Sequence, residues 1–197
     1  IQPWTLTDYQ KRIDEGANPG FISCGFSING TARLPGFQKG ISKYKYSVLS
    51  GSFCVKKSVF EVIGKYDENL KQGENWEMVA RALSYCENKG FGISHIDRCN
   101  LLYHHFKTTG EVKKRDLHRA ESNEYLARKY SINGVLHFNR CDFLLTAAVN
   151  YVRAEEFIKA RKLFLENFRC NPGISGLFRL IVFEIPLLRR RKWMRGK

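Results

Sequence analysis

The sequence lacks several patterns that would assign a class of protein at once. Its six cysteines form no C-x-x-C motif, which excludes the common zinc-ribbon and thioredoxin-type signatures. No apolar run reaches the roughly 18 residues that a membrane-spanning helix needs. The most apolar stretch, residues 174–188, is interrupted by Arg179, Glu184 and Pro186. Low-complexity segments and internal repeats are also lacking. With 43% hydrophobic residues, the composition is that of a folded domain.

Acidic residues are scarce. The chain has 19 of them against 33 lysines and arginines, for a net charge of +14. Such an excess favours anionic partners, which include nucleotide phosphates, nucleic acids and anionic lipids. The basic residues are spread along the chain, apart from a dense cluster at the C-terminus, and no RNA-binding signature is present. The charge therefore defines no site by itself, and a nucleic-acid-binding module remains an alternative.

The six cysteines lie far apart, at positions 24, 54, 86, 99, 141 and 170. An even number is compatible with disulfides in a secreted protein. Because the spacing is wide and no signal peptide is visible, we expect reduced thiols in a cytosolic protein. The chain begins with Ile1 rather than methionine, and we expect it to be a piece of a longer protein.

Hydrophobic periodicity and turn residues predict an α/β part followed by a helical part. The predicted elements are a helix over 5–16 with Thr7 as its N-cap, a strand over 20–28 with a turn at Asn29-Gly30, a loop over 31–47, a strand over 47–56, a short helix opened by a capping box at Ser58 and Glu61, a helix over 75–89, strands over 91–96 and 99–106, and helices over 111–130 and within 138–170. A composition shift after Gly110 predicts a domain boundary near 108–111. We therefore assign residues 1–108 and 111–197 to two domains.

One block of motifs carries a resemblance. From Leu49 to Leu83 the chain contains a glycine loop at Gly51, a short helical segment and the sequence GKYDENL over 64–70. Glu74 and Asn75 then open a helix that contains a tryptophan, at the position of an acidic pair. This order resembles the acceptor-side half of family 2 inverting glycosyltransferases of the GT-A fold. The resemblance implies a partial, Rossmann-like domain with a mixed sheet that lacks its nucleotide-binding half, followed by an all-α region.

The resemblance also implies roles for the residues of this block. Inverting transfer needs a base to remove the proton of the acceptor hydroxyl. The usual base of the family falls at Asn75, whose amide cannot accept a proton. Either Glu74 or Glu77 is then the base, or this member is inactive or atypical. Alternatively, both glutamates are simply acids favoured by the dipole at a helix start. Gly51, Ser52 and Trp76 are expected to bind substrate.

A divalent cation, Mg²⁺ or Mn²⁺, is implied as the cofactor of the whole enzyme. The D-x-D motif that holds it in the family does not occur in this chain. His104 and His105 end a predicted strand where the family often carries a histidine that helps bind the metal or the diphosphate. Because adjacent strand residues point to opposite faces, at most one of the two can serve, and we favour His104.

The helical part has two features. Residues 141–172 resemble a single tetratricopeptide-like helix pair, and a plain helical hairpin is the alternative. Residues 173–197 combine an apolar stretch with the basic run Arg189 to Lys192. This tail is either a peripheral contact with an anionic membrane or an ordinary docking helix with a solvated basic end.

Together these observations predict a fragment of a glycosyltransferase that moves a sugar from a nucleotide-sugar donor to a hydroxyl of a glycan or lipid acceptor. The expected context is bacterial surface-polysaccharide synthesis, in the cytoplasm or at the inner face of the membrane, without nucleic acid. A non-enzymatic helical-repeat scaffold that binds a partner protein is the other alternative, beside the nucleic-acid-binding module.

Overall fold

The computed structural model describes residues 1–15, 18–33, 49–104, 109–130 and 140–185 of the chain. The protein is mixed α/β, and the elements in these ranges are α1 (Thr5–Asp14), β1 (Pro19–Ile28), β2 (Thr31–Arg33), β3 (Phe53–Val55), α2 (Lys57–Ile63), α3 (Glu74–Lys89), β4 (Gly92–Tyr103), α4 (Thr109–Lys129), α5 (Arg140–Arg153), α6 (Phe157–Cys170) and α7 (Ile174–Glu184). They form two compact units, residues 1–67 with 74–106, and residues 68–73 with 107–197.

A four-stranded mixed sheet organises the first unit, as predicted. The central strand is β1, which pairs with β2 and β3 in antiparallel fashion and with β4 in parallel. The predicted turn at Asn29-Gly30 is confirmed, because both residues have positive φ angles, 48° and 83°. Two such residues form the tight turn whose twist matches a hairpin, and Ile28 accordingly faces Thr31 across β1 and β2.

The last strand of the first unit differs from the prediction. Two strands were expected over 91–96 and 99–106, whereas β4 is continuous from Gly92 to Tyr103. Its pairing with β1 jumps from Cys24–Ile96 to Gly25–Cys99. Asp97 and Arg98 are the extra residues at this irregularity, and both are exposed. The polar interruption in the sequence is therefore a bulge within one strand rather than a break between two.

The N-terminal helix is held by a buried amide on β4. Asn100 is fully buried, and its side chain accepts a hydrogen bond from the Trp4 indole at 3.0 Å and donates one to Asp8 at 3.0 Å. Its carbonyl accepts from the Gln2 amide and the Thr5 hydroxyl. These contacts start α1 at Thr5, so the prediction of Thr7 as the N-cap is wrong. They also occupy a β4 carbonyl that an additional strand would need.

The region before α3 corrects two further predictions. Of the strand expected over 47–56, Phe53–Val55 is a strand and residues 49–52 form a turn, while residues 47 and 48 lie outside the described residues. The predicted capping box is also wrong, since α2 begins at Lys57 and Ser58 lies inside its first turn. Only Lys56 separates β3 from α2, and its amide bonds the Gly20 carbonyl at 2.9 Å. Gly64 ends α2 with a φ of 80°, as predicted.

The second unit contains the helices α4 to α7, as expected for residues 111–197, together with the non-helical segment 68–73. Each of α4, α5, α6 and α7 packs against the next. The α5–α6 hairpin buries Leu144, Ala148, Tyr151, Ala160 and Phe164, whereas Pro172 after α6 is exposed. Residues 68–73 belong to this unit, where Lys71 forms an ion pair of 2.7 Å with Glu121 on α4.

A disulfide joins Cys141, near the start of α5, to Cys170 at the end of α6. The prediction of uniformly reduced thiols is therefore wrong for this pair. The antiparallel hairpin brings two cysteines together that are 29 residues apart in sequence. Cys24, Cys54, Cys86 and Cys99 are free thiols.

The last described helix, α7, carries an exposed apolar face. Val182 and Phe183 are buried, whereas Ile174, Leu177, Phe178, Ile181 and Ile185 lie in solvent. Across the described ranges of the chain, no helix combines the length and apolar character needed to cross a membrane. The basic run over 189–192 lies outside the described residues.

Candidate functional site

The first turn of α3 carries the predicted acids, and a short polar chain crosses it. The Tyr66 hydroxyl donates to Oδ1 of Asn75 at 3.2 Å, and Nδ2 of Asn75 donates to Oε1 of Glu74 at 3.3 Å. All three residues are at least partly accessible. Partial burial and the negative charge of Glu74 raise the pKa of Tyr66 above its ordinary value. Tyr66 therefore stays a proton donor at neutral pH and orients the amide of Asn75.

This chain of hydrogen bonds gives Asn75 a role that an acid could not play. Its amide nitrogen faces the Glu74 carboxylate, and its amide oxygen faces the Tyr66 hydroxyl. An aspartate at this position would offer no donor to Glu74. The helix start adds a favourable potential for the Glu74 anion. The geometry thus makes Glu74 the oriented, reachable carboxylate of this turn.

Glu77 is placed differently. Its side chain is fully buried, and Arg81, one turn later, holds it through two nitrogens: Nε lies 3.0 and 3.1 Å from the two carboxylate oxygens, and Nη2 lies 2.8 Å from Oε2. The same guanidinium donates to the carbonyls of Ile63, Gly64 and Lys65. Arg81 thereby joins α3 to the end of α2. With its carboxylate in this buried pair, Glu77 has the surroundings of a structural ion pair rather than of a proton acceptor for a substrate.

The glycine loop forms a tight turn. Gly51 is exposed and has a φ of 87°, and a Cβ at this position would be in van der Waals contact with Ile1 and Leu101 at 3.9 Å. The positive φ explains why a glycine occupies this turn, and substrate binding by Gly51 stays a prediction. Ser52 is fully buried. Its hydroxyl donates to the Leu49 carbonyl at 2.7 Å and accepts from the Leu49 amide at 3.0 Å. A substrate-binding role needs an accessible hydroxyl, and this turn buries that of Ser52.

The remaining predicted residues lie on α3 and after β4. Trp76 is half-buried on α3, and His104 is exposed directly after the last residue of β4. His105 lies outside the described residues. Over the described ranges, no three His, Cys, Asp or Glu side chains come together as a metal site. Hydrogen bonds join Glu74, Asn75 and Tyr66, whereas Gly51 lies in the separate turn before β3.

Sequence reasoning missed a hydrogen-bonded serine and histidine, a pair that acts as nucleophile and base in some enzymes. Ser23 Oγ and Nδ1 of His95 lie 2.6 Å apart, between neighbouring strands β1 and β4. Burial lowers the pKa of His95, assisted by the charge of Arg12 and opposed by Asp97. Ser23 is fully buried in the sheet. A nucleophilic serine must reach its substrate, so this pair fits a role in strand pairing.

Comparison of the chain with protein-family models, with curated proteins and with solved structures found no match.

Proposed function

We propose that this chain is the acceptor-side part of an inverting family 2 glycosyltransferase and that Glu74 is its general base. The support is the order of elements: β3, the short helix α2, a turn, α3 and β4 follow one another as the motif block requires. The acids fall at the first turn of α3, where the resemblance puts the acceptor crevice. A sugar from a nucleotide-sugar donor would pass to a hydroxyl of a glycan or lipid acceptor.

The observation that carries this proposal is the Tyr66–Asn75–Glu74 hydrogen-bond chain. In the proposed reaction, the acceptor hydroxyl gives its proton to Glu74 while its oxygen attacks the anomeric carbon, and the nucleoside diphosphate leaves. Asn75 holds the carboxylate in place through its amide. The departure from the family pattern at Asn75 then moves the base by one residue instead of abolishing it.

The resemblance also implies a divalent cation, Mg²⁺ or Mn²⁺. Within the described ranges, the one candidate ligand among the predicted residues is the exposed His104, and a single histidine does not make a site for these cations, which prefer several oxygen ligands. The residues described here thus do not fit the metal by themselves.

The test is kinetic and uses the complete coding sequence that contains this chain, assayed against a panel of nucleotide sugars. Glu74→Gln keeps size and hydrogen-bonding reach but cannot accept the proton, so kcat should fall about 10²- to 10⁴-fold. Glu61→Gln on α2 makes the same chemical change at an exposed acid and should leave kcat unchanged. A kcat within about twofold of the parent for Glu74→Gln would exclude Glu74 as the base, given that the loss of a base costs far more.

We also propose that the protein works in the cytoplasm, peripherally at the inner face of a membrane, through the exposed apolar face of α7 and the basic residues that follow it in the sequence. The Cys141–Cys170 disulfide argues in the opposite direction, because cytosolic thiols are kept reduced. Acid quenching of cells to preserve the thiol state, followed by labelling of the denatured protein with a thiol-reactive polyethylene glycol, distinguishes the two cases. A cytoplasmic protein should show six reactive thiols after denaturation, and a protein from an oxidising compartment four.

A helical-repeat scaffold is the second candidate, and one observation favours it. The successive packing of α4, α5, α6 and α7 is the arrangement of stacked helical repeats, which cannot bury their faces singly. A D-x-D motif encoded upstream in the same reading frame supports the enzyme. Further helix pairs like α5–α6 encoded downstream support the scaffold.

A further inference from the structure

Three arginines gather where α4 and α5 pack together, in the second unit. Arg115 and Arg119 lie one turn apart on α4, and Arg153 is the last residue of α5. Asp116 is the acid among them, and it lies 3.8 Å from Nη2 of Arg115. Arg115, Arg119, Arg153 and Asp116 together carry a net charge of +2, and the exposed Glu111 lies one turn before Arg115 on α4. Like charges in such proximity repel each other, and the arrangement is unfavourable unless an anion joins them.

Two donors in the cluster are unused. The Nε atoms of Arg115 and Arg153 are buried and have no hydrogen-bond partner in the part of the chain that the structure describes. Arg153 reaches Oδ1 of Asn150 only at 3.4 Å, and through Nη1 rather than Nε. Buried polar groups in folded proteins nearly always have a partner, so each exception calls for a reason. An acceptor bound between these side chains would satisfy both donors.

Arg119 shows that the three charges affect one another. Its pKa is lowered from the ordinary value, first by partial burial, then by the charge of Arg115, and also by Arg153, with Asp116 acting in the opposite direction. The cationic form of Arg119 is therefore less favoured here than in water. Part of its side chain remains in solvent. Arg119 thus lies close enough to Arg115 and Arg153 for their charges to act on it, while its own side chain stays accessible to an anion.

Charged groups also lie beside the cluster, namely Glu111 and Lys113 on α4 and Glu155 after α5. Lys113, two residues before Arg115 on α4, is paired with Glu155 at 2.9 Å, just after the end of α5. That pair involves one charge of each sign, so it leaves the balance of the three arginines unchanged. The side chain of Asn150 adds a neutral polar group beside Arg153.

We propose that the arginine cluster of Arg115, Arg119 and Arg153 is a binding site for a phosphate group. The planar guanidinium group presents paired donors that match the oxygens of a phosphate, and several guanidinium groups can share one dianion. A phosphate dianion would balance the +2 charge and would offer acceptors to both unused Nε atoms. The proposal does not depend on the proposed glycosyltransferase function, because it rests on residues of α4 and α5 alone.

The first test compares thermal unfolding of the whole chain in sodium phosphate and in sodium chloride of equal ionic strength. At a phosphate concentration ten times its Kd, the unfolding constant should fall about elevenfold, which raises Tm by about 3–6 °C. Arg119→Gln should lose this shift. Its Tm in chloride should stay the same or rise, since a repulsion is removed. A merely structural arginine would instead show a lower Tm in both salts.

Arg169→Gln is the matched control. It removes the same charge from an exposed position in the last turn of α6, beside the disulfide that joins the far end of the helix hairpin. Arg153 lies at the other end of α5, about 20 Å away along a helix of 14 residues. The control variant should keep the phosphate shift in full. An equal shift in the parent and in Arg119→Gln would overturn the proposal, because it would mean general salting-out.

A direct measurement covers the case in which the variant folds poorly. In the parent chain, the Nε–Hε resonances of Arg115 and Arg153 should move on titration with inorganic phosphate and saturate, while those of Arg169 stay fixed. Resonances that do not move would overturn the proposal.

The phosphate could belong to a soluble phosphorylated compound or to a lipid headgroup. Co-sedimentation with vesicles of phosphatidylcholine and phosphatidic acid distinguishes these sources. If Arg119→Gln loses both the phosphate shift and vesicle binding that the parent shows, the headgroup is the natural ligand. If it loses only the phosphate shift, the ligand is a soluble phosphate compound.

Discussion

The buried ion pair of Glu77 and Arg81 allows a test of whether Glu77 has a structural role rather than a catalytic one. Glu77 has no exposed surface, and the side chain of Arg81 is 18% exposed. Glu77→Gln keeps the shape of the side chain but leaves the Arg81 guanidinium without its counter-ion. Removing one partner of a buried pair typically costs about 3–5 kcal/mol, and the retained amide oxygen puts this case near 3 kcal/mol. Glu74→Gln, at a half-buried helix start, should cost under about 1 kcal/mol.

Urea unfolding followed by tryptophan fluorescence measures this difference. A Trp193→Phe background leaves Trp4 and Trp76, both in the first unit, as the reporters. With a slope of about 2 kcal/mol per M, Glu77→Gln should lower the midpoint by about 1.5 M, and Glu74→Gln by less than about 0.5 M. Glu61→Gln, at an exposed acid, provides the baseline.

A double-mutant cycle with Arg81→Gln refines the result. Arg81 also donates to the Ile63, Gly64 and Lys65 carbonyls, so its own loss should cost at least as much. If the two residues act as one pair, the double variant should lose about 1–3 kcal/mol less than the sum of the single variants. A loss below about 1 kcal/mol for Glu77→Gln would refute the structural role and return Glu77 to the candidates for the base.

Three further predictions concern other parts of the chain. Cys141→Ser should destabilise the α5–α6 hairpin by about 3.6 kcal/mol, because the disulfide closes a loop of about 30 residues. Thermal melts with and without reductant measure this loss, and reductant should not change the Tm of the variant. Burial raises the pKa of Cys54 and Cys86 to about 11 from 9.0, so at pH 9 their alkylation should be about fiftyfold slower in the native than in the unfolded chain. The stability that these raised pKa values contribute should be present below pH 9 and lost as pH rises towards 11. Equal alkylation rates in the native and unfolded chain would contradict this prediction. The double substitution Leu177→Ser and Ile181→Ser should reduce co-sedimentation with anionic vesicles. Ile158→Ser, at another exposed isoleucine of the same unit, should not reduce it. Equal binding of all variants would contradict the membrane role of α7.

Much of the local structure was predictable because it depends on neighbours in sequence. Asn29-Gly30 specifies a hairpin turn since both positions tolerate positive φ. The apolar spacing of α3 predicted the face that buries Val79, Leu83 and Cys86, and the residue pattern predicted the helical character of α5 and α6. Where a tertiary contact competed with a local signal, the prediction failed: Asn100 moved the start of α1, and the pairing with β1 kept β4 continuous through Asp97 and Arg98.

In the candidate site, too, some features were predictable from the sequence and others depend on tertiary contacts. The sequence by itself determined that acids begin α3 and that a glycine precedes β3. Nothing in it distinguished Glu74 from Glu77, because both stand in the first turn of one helix. Only the tertiary structure decided that Arg81 and the end of α2 bury Glu77 while Glu74 stays accessible beside Asn75. Tertiary packing likewise turned Ser52 inward, joined Cys141 to Cys170, and assembled the arginine cluster. Helical and strand periods are local properties of a chain, whereas the burial and charge partners that set reactivity come from segments distant in sequence.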